Sequence, residues 1–202
     1  MTENRVNKTQ KALIISKSSS LFWEKGYAET SMKDIAGECG FRPANIYNFF
    51  ENKESILFEI LYDEMMEILG PIRSLEDDET IPPPQAMRLV IENHLKLTLG
   101  EKMNSKLLFD AGLKNLSPAN RKKIITLRDE YDRISVKIIE RGIRTGVFRK
   151  TDAKMAVYSI ASMIARSRIW FNPQGKHTVD EIIDFICAFA LNGLGAKSNG
   201  NL

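Results

Sequence analysis

Between Ala28 and Glu54 the chain reads AETSMKDIAGECGFRPANIYNFFENKE, and its punctuation leaves the backbone little choice. Thr30 or Ser31 is placed to cap a helix, and Asp34, three residues beyond Ser31, can return the bond as in a capping box. The helix runs from Met32 to Cys39 and ends at Gly40, where a left-handed residue is wanted. Pro43 suits the first turn of another short helix, because its missing N–H would be unbonded there anyway. Asn52 then precedes Lys53-Glu54-Ser55 as an N-cap precedes a longer helix. Two short helices round the turn Glu38-Cys39-Gly40-Phe41 suit a helix-turn-helix, whose second helix enters the major groove.

Helical periodicity continues almost everywhere else, and no alternating run is bounded by hairpin turns. A first helix is expected over residues 8–25, with Leu13, Ile14, Ser18, Leu21 and Phe22 near one face and Gly26 as its stop. The helix opened by Asn52 should reach about Leu69 and stop at Gly70-Pro71. The sharpest change of composition follows at 74–84, SLEDDETIPPP, which must be a loop or linker. Helices then resume at about 85–99, 103–115, 118–144, 152–171 and 179–194, with Ser117, Thr151 or Asp152, and Thr178 as caps. The fold class is therefore all-α, with about nine helices: a three-helix DNA-binding domain over residues 1–52 and a helical body over 53–202.

Inside the helix-turn-helix, Ile35, Ala36, Phe41, Ile46 and Phe50 fall on the side that would lock the two helices together. That leaves Arg42, Pro43, Ala44, Asn45, Tyr47 and Asn48 facing outward. Arg42 and Asn45 can donate to guanine or adenine edges, while Tyr47 and Asn48 can reach phosphates or bases. Lys53 is expected to direct a cation at the same strand, and Thr30, Ser31 and Lys33 to offer hydroxyl, amide and charge to the other. Charge alone says little, since the chain carries a net +3 and residues 1–54 hold eight Lys/Arg against seven Asp/Glu. Position is more telling: Arg5, Lys8, Lys11 and Lys17 face only Glu3 within the first seventeen residues, so the leading segment could neutralise phosphates. The competing reading is a compact αα corner with Tyr47, Phe49 and Phe50 as core.

The stretch LFWEKGYAETSMKDIAGECGFRPANIYNFFENKESIL closely resembles the DNA-binding domain of the TetR family of bacterial transcriptional regulators. The shared elements are Gly26-Tyr27, Thr30-Ser31, the Asp34-Ile35-Ala36 core, Gly40, Tyr47 with Phe50, and Lys53-Glu54, in register and without gaps. Cys39 stands where Ala is usual, Arg42 where a small residue is common, Ala44 where Gly is frequent, and Asn48 where an aromatic or His is often found. These departures bear on which operator is read. The resemblance implies an all-α homodimer on a palindromic operator of double-stranded DNA, released when a small molecule binds the C-terminal body.

In that body, helix 179–194 is apolar round most of its girth, and 155–165 is similar. Such helices must be covered on every side. A homodimer through a four-helix bundle is expected, with Ile160, Ile164, Ile182, Phe185, Ile186 and Phe189 at the interface; the alternative buries both helices inside one subunit. Polar residues within apolar helices are the candidate ligand contacts: His94, Phe109, Asp110, Tyr131, and Ser162, Arg166 and Trp170, which share a face at four-residue spacing. Each also has a plainer reading, His94 as a satisfied core side chain and Arg166 as the solvated end of its helix. The segment Arg168–Leu194, with Leu113–Arg121, looks like TetR-family branches that sense fatty-acyl or other acyl-CoA thioesters. That resemblance implies Arg166, Arg168 and Lys176 on CoA phosphates and Trp170 on its adenine or pantetheine arm.

Other classes find little support. Two isolated His, no Gly-rich phosphate loop and no metal spacing argue against an enzyme, and no cofactor is expected. Cys39 and Cys187 fit no disulfide or redox spacing. No apolar run reaches the ~18–20 residues of a membrane span, so a cytoplasmic protein without membrane contact is expected. The remaining alternatives keep the DNA-binding head but give the body a different hydrophobic effector, as in drug-efflux regulation, or none.

Overall fold

The computed structural model describes the backbone of residues 2–100 and 112–196, with side chains from residue 6 onward. Among the described residues there are eight α-helices and no strand: α1 (Thr2–Glu24), α2 (Met32–Glu38), α3 (Pro43–Tyr47), α4 (Lys53–Leu69), α5 (Pro83–Leu99), α6 (Pro118–Arg144), α7 (Ala153–Trp170) and α8 (Val179–Gly193). The helix expected over 103–115 lies largely outside the described residues, as do Phe109 and Asp110.

The helix starts follow from short-range chemistry. The amide of Asp34 donates to Ser31 Oγ at 3.1 Å while the Asp34 carboxylate accepts from the Ser31 amide at 2.8 Å. Asn52 and Ser55 make the same exchange at the head of α4. Ser117 accepts from the Asn120 amide, Asp152 from Met155, and Thr178 from Glu181. Each bond satisfies a donor that the first helical turn cannot. Helix α1 begins earlier than its apolar pattern suggests, and α5 begins within the triple proline, since Pro is tolerated in a first turn.

Two compact units result, and their division differs from a cut at residue 52. The first takes the described residues of Met1–Met65 and Asn104–Ile125; the second takes those of Met66–Met103 and Thr126–Leu202. The reason is burial. Ile56, Leu57, Ile60 and Leu61 of α4 are wholly or almost wholly covered, and the Leu57 and Leu61 side chains lie against Gly112. Glu54 accepts from the Ser117 amide at 2.9 Å and from the Asn120 side chain at 3.0 Å. The early turns of α4 are thus tied to the segment 112–120 and fall in the same unit as α1, α2 and α3.

In the second unit α5 packs against both α7 and α8. The acidic, proline-rich segment is no slack linker. It contains a 3-10 turn at Arg73–Glu76 and is tied to α6 by charge. Arg73 forks onto Glu130 at 2.8 and 3.1 Å, and Lys137 meets Asp77 at 2.7 Å. The buried Arg141 guanidinium donates to the carbonyls of Asp78 at 2.5 Å and Ile81 at 2.9 Å.

Glycines test this packing with opposite signs. A Cβ on Gly142 would run into the Phe148 ring, whereas one on Gly37 meets nothing within 4 Å. Gly142→Ala should cost about 1–3 kcal/mol by overpacking despite its better helix propensity. Gly37→Ala should gain up to ~1 kcal/mol. Thermal melts at one fixed protein concentration check both signs.

Candidate functional site

The turn between α2 and α3 is held by backbone bonds that close it tightly. Cys39 N–H donates to Ile35 at 3.0 Å, Gly40 to Gly37 at 3.1 Å, and Phe41 to Ala36 at 2.8 Å. Gly40 takes φ +69°, the left-handed value this reversal needs. Ile35, Ala36, Ile46 and Phe50 are buried beneath it, and Phe41 and Phe49 are half-buried. With that side of α3 covered, Arg42, Pro43, Ala44, Asn45, Tyr47 and Asn48 stand together on the opposite, exposed side, and Lys33 of α2 is exposed as well. This arrangement is the reverse of the αα-corner reading for Tyr47, which is 54% exposed.

Two expected phosphate donors are spent elsewhere. Thr30 is buried, and its hydroxyl donates to the Gly26 carbonyl at 2.8 Å. The Lys53 ammonium donates to the carbonyls of Tyr27 at 2.5 Å, Thr30 at 2.7 Å and Ala28 at 3.3 Å, and sits 4.3 Å from the centre of the Tyr27 ring. An ammonium has three N–H donors, and three carbonyls are in reach. Burial pushes the Lys53 pKa down, with Glu29 opposing. Lys53 thus fixes the loop that sets α2's entry, and its contribution to DNA affinity is expected to be positional. Ser31 is exposed, but its hydroxyl is engaged with Asp34 in the cap.

The basic leading segment is likewise less available than its composition suggests. Lys11 pairs with Glu59, and Lys17 with Glu38 at 3.0 Å. What the sequence reading missed is a small polar cleft of about 270 Å³ beside α3, lined by Asn7 and Gln10 of α1 with Phe41, Asn45, Asn48 and Phe49. The only sequence signal is that Asn7 and Gln10 lie three apart on one helical face.

In the second unit the expected ligand residues separate. His94, half-buried on α5, places Nδ1 3.1 Å from the hydroxyl of Tyr131 on α6, with the rings edge-on at 5.2 Å. Tyr131 is buried, and that burial raises its pKa. Ser162, Arg166 and Trp170 do share a face of α7, but it is the outer one: all three are exposed, and the Ser162 hydroxyl donates to the Tyr158 carbonyl. Arg168 is half-buried and Lys176 exposed. The expected interface set also divides. Ile160, Ile164, Ile182 and Ile186 are buried in the unit's own core, whereas Phe185 and Phe189 are 70% and 60% exposed. A period locates a stripe but not the side that faces inward, and here the inward side belongs to the unit itself.

The fold and the exposed α3 surface define an all-helical helix-turn-helix regulator with a larger helical body. Residues 14–60 match the family described as bacterial regulatory proteins, tetR family, and residues 80–194 match the tetracyclin repressor-like C-terminal domain. The chain belongs to the TetR family. It is similar to the HTH-type transcriptional repressor KstR2 of Rhodococcus jostii (strain RHA1), 23% identical over 90% of this chain and 89% of that protein. Among solved structures it is similar to the regulator PfmR from Thermus thermophilus, 32% identical over 90% of this chain and 98% of that one, with a TM-score of 0.81. It also shares the fold of AibR, solved in complex with isovaleryl coenzyme A and operator DNA: TM-score 0.79 and 23% identity over 89% of this chain and 97% of that one. Among the described residues no helix is long and apolar enough to cross a membrane.

The roles of the two cations can be separated by salt. Arg42→Ala should weaken binding to an operator duplex and reduce the slope of log affinity against log salt by about one. Lys53→Met should weaken binding while leaving that slope unchanged. Fluorescence anisotropy across a salt series reads both slopes.

Proposed function

We propose that this TetR-family regulator is a homodimeric repressor that leaves a palindromic operator when an acyl-CoA thioester binds its C-terminal body. The observation that carries the DNA-reading half is the exposed set Arg42, Asn45, Tyr47 and Asn48 on a helix whose other side is buried. Arg and Asn offer the donors that guanine and adenine edges accept in the major groove. Tyr47 and Lys33 are suited to the sugar–phosphate backbone.

Dimer formation is supported by what α7 and α8 leave uncovered. Met155, Tyr158, Ile169 and Trp170 are exposed on α7, and the Phe185 and Phe189 rings lie 6.3 Å apart on α8. An apolar surface of this kind marks an interaction site, and a two-fold axis would cover it with its own copy. Ser162 and Arg166 lie in the same α7 stripe and would meet the partner. Phe189→Asp is expected to give a monomer by light scattering and to lower affinity for a palindromic duplex on the order of a hundredfold, since the second head no longer binds intramolecularly.

The effector reading is supported by AibR's bound isovaleryl coenzyme A and by the His94–Tyr131 pair, which joins α5 to α6 within the body. His94 and Tyr131 are polar groups that could hold a thioester carbonyl or a hydroxyl. Helix α4, whose residues divide between the two units, would carry the change to the reading heads. Effector and operator would then favour different head spacings, a coupling of typically about 1–3 kcal/mol. The test is release from a duplex selected by the wild-type protein. A panel of acyl-CoA thioesters from two to eighteen carbons should weaken that affinity about 5- to 150-fold, whereas free CoA should not. Tyr131→Phe should blunt the response and spare basal DNA affinity. A flat response with every thioester would contradict the acyl-CoA reading and leave a different hydrophobic effector, or none.

A further inference from the structure

We infer that the cleft between α1 and α3 seats one sugar–phosphate unit of the DNA strand beside the major groove, through the carboxamides of Asn7 and Gln10. This rests on the DNA-reading assignment of α3 and adds to it a second helix and a neutral kind of contact. The cleft holds about 270 Å³ and brings together four carboxamides, from Asn7, Gln10, Asn45 and Asn48, against the rings of Phe41 and Phe49. None of its lining side chains is charged.

Shape decides what such a cleft takes. Base edges lie on the floor of the groove and are reached by a convex helix, whereas the backbone ridge is the convex part of duplex DNA and fits a concave site. Each carboxamide carries two N–H donors and can give them to phosphate oxygens, a contact that amide side chains commonly make. The two half-buried rings offer an apolar wall to the deoxyribose. Of the α1 cations, Lys11 and Lys17 face Glu59 and Glu38, while Lys8 beside Asn7 is exposed, so the cleft's amides add neutral donors next to a single cation. Both contributing helices belong to one unit and share its core through Ile14, Leu21, Phe22 and Ile46. A phosphate held between them would fix the register in which Asn45 and Asn48 meet the bases.

The test uses a duplex selected from a random-sequence pool by the full-length wild-type protein. The double variant Asn7→Ala with Gln10→Ala should bind it at least about tenfold more weakly, the size expected for even one hydrogen bond to a charged group. Both substitutions raise helix propensity, so melting temperature should hold or rise. The loss should be equal on single-base variants of the duplex, with the salt slope unchanged because no cation is removed. A methylphosphonate scan should show one linkage per half-site whose neutralisation weakens the wild type but not the double variant. Wild-type affinity in the double variant, or a loss confined to one base pair, overturns this inference alone. Failure of the wild type to select any duplex overturns the DNA-reading assignment, and this inference with it.

Discussion

Helix α3 has five residues, far below the ~12–15 at which an isolated helix is even marginal in water. Its exposed face exists only because Ile46 and the adjoining Phe50, like Ile35 and Ala36 of α2, are buried where α2 and α3 pack together. Those contacts fix the rotation of α3 and so decide that Asn45, Tyr47 and Asn48 point outward. The left-handed Gly40 makes the close return possible. Everything upstream follows this demand: the Ser31–Asp34 cap starts α2, and Lys53 and Thr30 hold the loop before it. On the proposed reading, a regulator built this way would put its cations to two uses, some to touch DNA and some to keep the touching surface in place.

That division of labour was only half legible in the sequence. Caps, stops and the apolar spacing of 28–54 are local signals, and the helices, the turn and the outward set from Arg42 to Asn48 could be read from them. Thr30 and Lys53 could not. A sequence shows a hydroxyl and an ammonium, but not that the carbonyls of Gly26, Tyr27, Ala28 and Thr30 converge on them. Lys11 and Lys17 make the same point, because their carboxylate partners lie 48 and 21 residues away. Charge counted along a chain overstates charge available to DNA.

In the larger unit the limit is of another kind. Periodicity placed Ser162, Arg166 and Trp170 on one face and marked α8 as too apolar to stand in water. It could not say which arc of each helix the unit's own core would claim. The core took Ile160, Ile164, Ile182 and Ile186, leaving Phe185, Phe189, Met155 and Ile169 uncovered. The pairing of His94 with Tyr131 joins α5 to α6 across 37 residues, and no motif announces it. The family and its architecture were readable, whereas the inner and outer roles of individual side chains needed the packing.

Methylation interference puts the central claim, that α3 reads the major groove, to its most direct trial. Dimethyl sulfate marks guanine N7 on the major-groove side and adenine N3 on the minor-groove side, so one experiment reports both. Binding to a selected duplex should be blocked by guanine N7 methylation in two patches related by the palindrome, with centres about one helical turn apart or a multiple of it. Adenine N3 methylation between them should be tolerated. Interference confined to adenine N3, or absent from both, would contradict the account.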